Sequence, residues 1–309
     1  GITNYGTAPH QNMLSSSYVR CIVEDNLGNY WIGTFKGLDK LNAATGTFTH
    51  YSKDNKPYSL SNSSIICMMK DRQGTFWIGT YYGGVNLFNP DYEIYTYYYP
   101  DEAQKGKLTS PFAGRMIEDS KGGIWIATEG GGVNYLDRKT RTFTEYKHDV
   151  SKNSLASNTI QSLFLDEDNQ ALWIGTLRGG LDRLDLKTYR FTNYRYNAET
   201  KNSLINDIVR KIIPYKGNLL LATHNGIGLF NPETGECVKL LNDSRLNNRQ
   251  IIDMLVDKKN NLWFSYSLGL IKYNLETQKR NEYFVPNTSK QAIGPNLINV
   301  LFEDKKGNI

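Results

Sequence analysis

Residues 71–88 read DRQGTFWIGTYYGGVNLF, and this stretch decides the fold because the chain repeats it. Its aspartate position recurs at 25, 71, 119, 166, 214, 257 and 304, a spacing of about 46 residues. The fifth copy departs most, with Pro214 and Leu220 where the others have Asp and Trp, and the sixth reads DKKNNLWFSYSLGL. A period of about 20–50 residues is typical of solenoids, propellers and repeat arrays.

Each repeat predicts four short antiparallel strands. An apolar strand such as VRCIVE precedes the aspartate, Asp-x-x-Gly-Asn forms a tight turn, and the Trp strand follows. A glycine-containing turn then leads to a third strand such as LDKLN, and a more polar strand such as FTHYS completes the repeat. No helical segment separates the repeats. Four such strands are the pattern of a β-propeller blade.

The recurring tryptophans are predicted to be structural. A ligand-binding tryptophan has no reason to recur in almost every repeat, whereas a large flat side chain fills the wedge between neighbouring blades. The Gly-Thr pair beside each tryptophan would leave room for the adjacent sheet. The residues concerned are Trp31, Trp77, Trp125, Trp173 and Trp263.

The two ends of the chain resemble pieces of one further repeat. Residues 2–5 read ITNY, like the fourth strand FTNY at 191–194, and residues 297–303 read like a first strand. The sequence therefore predicts one all-β propeller domain over 1–309, of seven-bladed type, with six complete repeats and a partial seventh from 297–309 plus 2–5. We expect the chain to be part of a longer protein. The complete repeats cover about 17–52, 63–99, 111–147, 158–196, 206–241 and 249–285.

Composition argues against several classes of protein. The 36 basic and 31 acidic residues give a net charge of +5 without basic runs, so a nucleic-acid partner is not expected. The three cysteines have no metal spacing, and Cys21 and Cys67 are predicted to be free thiols. The four histidines are far apart in the repeat, so neither a metal nor a cofactor is expected.

The repeat unit resembles the regulator-propeller repeats of two-component sensors, which are best known from hybrid two-component systems of gut Bacteroidetes. The segments EDNLGNYWIGTFKGLDKLN, GTFWIGTYYGGVNLFNP and EDSKGGIWIATEGGGVNYLD carry the likeness, which covers nearly the whole chain. The chain lacks the Trp-Asp and Gly-His of WD blades. Kelch blades place the double glycine before the tryptophan, whereas this chain places it after.

The resemblance implies a periplasmic sensor region with no enzymatic activity of its own. In such proteins two propellers and an immunoglobulin-like domain precede one membrane helix, a histidine kinase and response-regulator modules. The resemblance implies a sugar or oligosaccharide ligand derived from dietary or host glycans. A second propeller and the immunoglobulin-like domain would be partners in the same chain, the membrane would be reached only through that chain, and a homodimer is open.

The turn between the second and third strands is the predicted ligand-binding surface. The Asp turn is nearly uniform among repeats, whereas this turn and the long loops between repeats differ, as a recognition surface requires. Aromatic rings cover the C–H face of a sugar and charged groups bond its hydroxyl or carboxylate groups. The candidates are Tyr81, Tyr82, Arg178, His224, Glu129, Lys36, Phe35 and Tyr266.

One pair of charges is predicted in the first strands. Arg115, Arg210 and Asp253 lie four residues before the turn position, where Cys21 and Cys67 lie in the first two repeats. A charge at this depth needs a partner, so Asp253 is predicted to pair with Arg210 of the preceding repeat.

Two other functions stay open. The same variable surface would serve a propeller that binds another protein. A propeller glycosidase or lyase would need converging carboxylates, or a carboxylate with a base, and only Asp207, Asp253 and Glu129 are placed for that role. The chain has no Gly-x-Ser-x-Gly motif and no phosphate-binding glycine loop.

Overall fold

The computed structural model describes residues 5–6, 12–54, 59–89, 94–101, 104, 106–241, 243, 246, 249–267, 269–284 and 298–309. These residues form 24 strands in six four-stranded antiparallel sheets, here called blades one to six. In each blade the strands are paired in chain order. None of the described segments is a helix of the length and apolarity needed to cross a membrane. The chain divides into two compact units, Gly1–Ile160 and Gln161–Ile309.

Blades one to three carry the first twelve strands. Their bounds are β1 Val19–Glu24, β2 Tyr30–Thr34, β3 Leu38–Leu41, β4 Phe48–Tyr51, β5 Ile65–Lys70, β6 Phe76–Thr80, β7 Val85–Asn89, β8 Ile94–Tyr98, β9 Ala113–Glu118, β10 Ile124–Thr128, β11 Val133–Asp137 and β12 Thr142–Tyr146.

Blades four to six carry the other twelve, and β13 begins at the last residue of the first unit. Their bounds are β13 Ile160–Asp166, β14 Ala171–Thr176, β15 Leu181–Asp185, β16 Phe191–Tyr194, β17 Val209–Tyr215, β18 Asn218–Thr223, β19 Gly226–Phe230, β20 Cys237–Lys239, β21 Ile251–Val256, β22 Asn261–Tyr266, β23 Gly269–Asn274 and β24 Arg280–Phe284.

The aspartate that opens each turn also holds the tryptophan of its own blade. In blade two, Asp71 Oδ1 accepts hydrogen bonds from the backbone N–H of Gln73 (3.0 Å) and Thr75 (2.9 Å). Its Oδ2 accepts the indole Nε1–H of Trp77 at 2.9 Å. The same arrangement joins Asp25 to Trp31 at 3.1 Å and Asp257 to Trp263 at 2.8 Å. We call this the Asp–Trp clamp.

Blades three, four and five depart from the clamp in different ways. In blade three, Tyr135 Oη donates to Asp119 Oδ2 at 2.8 Å, and the buried Trp125 Nε1 has no partner among the described residues. The turn of blade four has one extra residue, and Trp173 Nε1 has no described partner either. Blade five lacks both clamp residues and closes with the two-residue turn Lys216-Gly217.

The prediction that tryptophans fill the space between blades is confirmed for Trp31, which is 1% exposed. Its ring lies 5.3 Å from Phe76 and 5.1 Å from Phe88, both in blade two. The glycine two residues after the tryptophan, in the same strand, is also needed for close packing between blades. A Cβ on Gly79 would lie 2.5 Å from the carbonyl oxygen of Ala113 in blade three, so a larger residue would push the sheets apart.

The prediction of a seven-bladed type with a partial seventh blade is wrong, because the described residues form six blades. Residues 298–304 belong to no strand. They bond to blade six in other ways: Ser265 Oγ donates to Ile298 O (2.9 Å), Leu301 N donates to Asp253 Oδ2 (2.8 Å), and Glu303 accepts the backbone N–H of Lys258 (3.1 Å). Tyr5 packs on Phe48 of blade one, with ring centroids 5.8 Å apart. Residues 2–4 and 297 lie outside the described residues.

The clamp predicts that replacing a clamp aspartate costs more stability than replacing a turn aspartate that holds no tryptophan. Asp71→Ala removes two turn bonds and the indole bond, and it leaves Arg138, whose Nη1 lies 3.1 Å from Asp71 Oδ2, without that partner. We expect a loss of about 3 kcal/mol in the free energy of unfolding, measured by urea titration. Asp166→Ala is the matched control, because Asp166 bonds only Asn169 among its described contacts and should lose about 1 kcal/mol. Equal losses would contradict a role of the indole bond.

The clamp also predicts sensitivity to acid. Burial raises the pKa of Asp25 and Asp257, but the turn N–H groups, an Asn side chain and the indole N–H together lower it below the ordinary value. A lowered folded-state pKa stabilises the protein above the unfolded-state pKa of about 4, and this stabilisation is lost as the pH falls through the folded-state value. The free energy of unfolding should therefore fall below about pH 4. Asp25→Asn combined with Asp257→Asn should lower stability at neutral pH and flatten this decline, and an unchanged slope would contradict the assignment.

Candidate functional site

Each blade presents its variable turn together with the loop that precedes a first strand. In blade two the backbone N–H of Tyr81 donates to Ser64 O, just before β5, at 2.9 Å. Gly84 N of the same turn donates to Pro111 O, just before β9, at 2.9 Å. The side chain of Thr80 closes the turn by donating to Gly84 O at 3.1 Å. We call the surface made by this turn and the loop before a first strand the turn face of a blade.

The loops between blades have fixed anchors that the sequence reasoning missed. A buried leucine lies five residues before the first strand of every blade. In blades one to three a polar residue of the third strand adds a second anchor. In blade two, for example, Asn86 Oδ1 accepts from Ser61 N (2.9 Å), and Asn86 Nδ2 donates to Ser61 Oγ (2.8 Å). The leucines are Leu14, Leu60, Leu108, Leu155, Leu204 and Leu246. Their constant offset from the apolar strand was a signal available in the sequence.

Three aromatic rings form a ridge on the turn face of blade two. The Tyr81 and Tyr82 centroids lie 4.9 Å apart, and Phe112, from the loop before β9, lies 4.9 Å from Tyr81 and 4.1 Å from Tyr82. Tyr81 is 43% and Tyr82 57% exposed. Glu129 follows the same surface in blade three, where its backbone N–H donates to Phe112 O. Tyr81, Tyr82 and Glu129 were predicted from the sequence, whereas Phe112 was not.

A second aromatic group lies on the turn face of blade one. Arg20 places its guanidinium carbon 5.3 Å from the ring centroids of both Tyr18 and Phe35. Its Nη1 donates to Ser64 Oγ (3.0 Å) and Ile65 O (3.2 Å) of blade two. Arg20 therefore links the turn faces of two blades. Phe35 and Lys36 are exposed, as a ligand-binding role requires.

A cleft of about 650 Å³ adjoins the ridge in the same unit. Its walls come from the loop between blades two and three and from β12, and Pro111 at its edge directly precedes Phe112. The lining is mixed: charged side chains at Asp101, Lys107, Glu145 and Lys147 accompany prolines and the ring of Phe143. The volume and the mixed lining suit a small polar ligand.

Two of the predicted residues adopt a strained backbone. Tyr82 and Arg178 occupy the same turn position, and both have φ of +65°. Blade three has Gly130 there, with φ of +82°, which is the residue expected for a left-handed conformation. Strain of this kind is enriched at functional sites. The two side chains are thus retained against the local backbone preference.

The remaining candidates lie in the second unit. Arg178 is exposed and His224 is half-buried, whereas Tyr266 is only 3% exposed and packs in the core of the unit. Arg195 lies at the turn of Arg178, where its Nη2 donates to Arg178 O (2.9 Å) and to Asp207 Oδ2 (3.1 Å). The structure therefore gives Tyr266 a structural position and leaves Arg178 and His224 at the surface.

The predicted pair of Asp253 with Arg210 is wrong. Asp253 is 1% exposed, and its Oδ1 lies 2.5 Å from Lys211 Nζ. Cys21 and its partner Gly33 are 12 positions apart in the chain, whereas Lys211 and its partner Ala222 are 11 apart, so counting back from the turn position shifted the comparison by one residue. Lys211 lies opposite Ala222, as Cys21 lies opposite Gly33, whereas Arg210 lies at the bulge in the strand.

The cysteines are free and buried, as predicted for Cys21 and Cys67. Burial raises the pKa of the Cys67 thiol to about 11, while the charge of Arg115 lowers it less strongly. These thiols are protonated near neutral pH and therefore unreactive. Within the described ranges no three His, Cys, Asp or Glu side chains are grouped to hold a metal ion.

Comparison with protein families identifies the repeats. The family described as two component regulator propeller matches residues 13–36, 59–82 and 154–178. The resemblance of these repeats to those of two-component regulators is therefore confirmed. It also agrees with the prediction that the chain is not an enzyme. No curated protein matches the chain.

Solved structures show the same fold. The extracellular domain of a protein described as a hybrid two-component system from B. thetaiotaomicron is 23% identical with a TM-score of 0.80, over 98% of this chain and 40% of that one. The extracellular domain of a one-component system from the same organism is 24% identical with a TM-score of 0.54, over 86% and 43%. This chain thus spans less than half of either protein. An inactive virginiamycin B lyase from Staphylococcus aureus, crystallised with quinupristin, is 16% identical with a TM-score of 0.63, over 92% and 88%.

The strained turn residues predict a gain of stability on substitution. Arg178→Gly should raise the free energy of unfolding by about 0.5–1 kcal/mol, because glycine adopts positive φ without a Cβ clash. Arg141→Gly is the matched control: Arg141 is exposed with φ of +57°, but it lies in the turn between β11 and β12, away from the turn face. Both variants should gain similarly in urea titration. A loss confined to Arg178→Gly would mean that its side chain stabilises the fold.

Proposed function

We propose that this chain is the ligand-sensing part of a two-component signalling protein, and that it binds a glycan-derived oligosaccharide at the turn face of its first unit. The observation that carries the proposal is the ridge of the exposed Tyr81 and Tyr82 with the half-buried Phe112, beside the cleft of about 650 Å³. The match of three segments to two-component regulator repeats supports the sensor role.

The chemistry of the ridge and cleft suits a sugar. Ring faces of Tyr and Phe cover the C–H side of a pyranose, and they lose little conformational entropy on binding. Lys107, Lys147, Asp101 and Glu145 in the cleft offer donors and acceptors for hydroxyl groups. Phe35 and Lys36 on blade one, and Glu129 on blade three, extend this surface along the unit.

The parent protein is proposed to follow the arrangement that the resemblance implies. The propeller would lie in the periplasm, beside a second propeller and an immunoglobulin-like domain of the same chain, with a histidine kinase beyond one membrane helix. The matched extracellular domains are longer than this chain, which supports the presence of such partners. Homodimerisation would let ligand binding change the spacing of two kinase modules.

Hydrolysis or elimination at Asp207 and Asp253, in the second unit, is less well supported. Asp207 is paired with Arg195 and also accepts the backbone N–H of Tyr196 at 2.7 Å. Asp253 is paired with Lys211 and accepts Leu301 N. These two carboxylates are thus engaged as acceptors, whereas a general acid must be held protonated.

The proposal predicts that Tyr81→Ser weakens binding and leaves stability nearly unchanged. Tyr81 is preferable to Tyr82 because its replacement does not also change a strained backbone. Calorimetry against a panel of plant, host and microbial oligosaccharides should first identify a ligand. The variant should then lose about 10–100-fold in affinity, as expected for loss of an aromatic contact. Its free energy of unfolding should change by less than about 1 kcal/mol.

Tyr97→Ser is the matched control for this experiment. Tyr97 is 60% exposed, but it lies in β8, the outer strand of blade two, instead of the turn face. This variant should bind the ligand as the unmodified chain does. If Tyr97→Ser loses affinity while Tyr81→Ser keeps it, the ligand binds at the outer edge of the blade and the proposed site is wrong.

A further inference from the structure

Arg20 and Arg210 occupy the same position in blades one and five. Each is the bulged residue of its first strand, between Val19 and Cys21 in one case and between Val209 and Lys211 in the other. A bulge turns the side chain of the extra residue out of the regular alternation. It directs Arg20 to the turn face, where it contacts Phe35.

The two arginines also bond to the same position of the next blade. Arg20 Nη1 donates to the side chain of Ser64, the residue before β5. Gln250 is the residue before β21. When its amide oxygen is turned toward Arg210, that oxygen accepts from Arg210 Nε at 3.3 Å and from Arg210 Nη1 at 3.2 Å. Arg210 is therefore held at the turn face of blade five by the same kind of link.

The turn residue beside the arginine differs between the two blades. Phe35 follows Thr34 in blade one, and His224 follows Thr223 in blade five. An aromatic ring is replaced by an imidazole, which titrates near neutral pH. Burial lowers the pKa of His224, and the charge of Arg210 lowers it further, so the imidazole is largely neutral although it lies in a positive field.

Other groups around this turn are mainly basic. Lys239 in β20 lies across the turn: its Nζ donates to Asn225 Oδ1 at 3.4 Å, and a Cβ on Gly226 would lie 3.2 Å from its Cε. Burial lowers the pKa of Lys239 as well. The loop before β21 brings the exposed Arg249, whose carbonyl accepts Gly226 N at 3.2 Å.

The acidic groups of the neighbouring elements are engaged with other cations. Asp207, in the loop before β17, pairs with Arg195 at 3.1 Å. Asp253, in β21, pairs with Lys211 at 2.5 Å. The turn of blade five thus has Arg210, His224, Lys239 and Arg249 in or beside it, while the carboxylates of Asp207 and Asp253 are paired with Arg195 and Lys211.

We propose that the turn of blade five is a binding site for an anionic group, a sulfate or a carboxylate, which binds with uptake of a proton by His224. The inference rests on the proposed function, since it assigns a charged ligand site to the second unit of a ligand-binding propeller. A planar guanidinium beside an imidazolium is a strong donor set for such oxygens. Because the anion favours protonated His224, its affinity should rise as the pH falls from about 8 to 6.

The test is a pH titration of the histidine side chains of the full chain by NMR, in sodium chloride and in sodium sulfate at equal ionic strength. His224 is assigned by the signal that His224→Asn removes. Sulfate should raise the pKa of His224 by roughly half a unit. His148, whose Nδ1 lies 2.5 Å from Leu155 O in an exposed loop, is the control, and its NMR signals should be the same in both salts. Equal responses of the two histidines to sulfate would overturn the proposal.

Substitution of the two equivalent arginines supplies a matched pair. Arg210→Gln should raise the pKa of His224 in chloride, because a positive neighbour is lost, and should abolish the sulfate response. Arg20→Gln removes the same inter-blade link in blade one and should leave the sulfate response of His224 intact. A sulfate response that persists in Arg210→Gln would overturn the proposal.

The source of the anion is distinguished by two further probes, glucuronate and glucose. A larger shift with glucuronate than with sulfate identifies an acidic sugar, and a response to sulfate alone identifies a sulfate group. Glucose should give no shift, and a shift as large as that of glucuronate would contradict an anion site. If Tyr81→Ser binds a neutral oligosaccharide as tightly as the unmodified chain, the proposed function fails, whatever His224 does in sulfate. The failure of the proposed function and the failure of the anion site are therefore distinguishable.

Discussion

In blades one, two and six the fold depends on one interaction, that of the turn aspartate's carboxylate with the indole N–H of the tryptophan six residues later. One oxygen caps the turn, and the other orients the ring that fills the space toward the next blade. Local turn geometry and packing between blades are thereby set by a single side chain. In blade five the aspartate and the tryptophan are absent together. Its turn consists of Lys216 and Gly217 alone, both with positive φ. A two-residue turn of that conformation needs no side-chain cap.

Because the turn between the first and second strands lies at one end of each blade, the opposite end is free to vary. There the threonine hydroxyl and a glycine carbonyl close the turn, and a buried leucine fixes the loop. The turn residues between these anchors are not needed for packing of the core. Tyr82 and Arg178 even lower the stability of the fold, because each adopts a left-handed backbone conformation that glycine would adopt without strain.

Much of the fold could be predicted from the repeat because its signals are local. The Asp-x-x-Gly-Asn turn, the tryptophan strand and the apolar alternation each lie within about ten residues, and the structure has a four-stranded sheet at every complete copy. The blade count failed because a strand-like segment is a strand only when a ladder partner is present, and Ile298 and Leu301 bond to side chains of blade six instead. Phe112 and Arg20 were missed because they reach the turn face from a loop and a bulge. The Asp253 partner was misassigned by one residue because the turn of blade five is shorter.

The leucine that ends each inter-blade loop has a consequence for how such proteins diversify. Since the chain is held at the fourth strand and again at the leucine, the segment between them behaves as a cassette with two fixed ends. Its length and composition can change by insertion, deletion or recombination without moving the register of either blade. Evolution can therefore exchange one recognition loop at a time on an otherwise unchanged scaffold. The same boundaries mark where a loop of different specificity would be grafted.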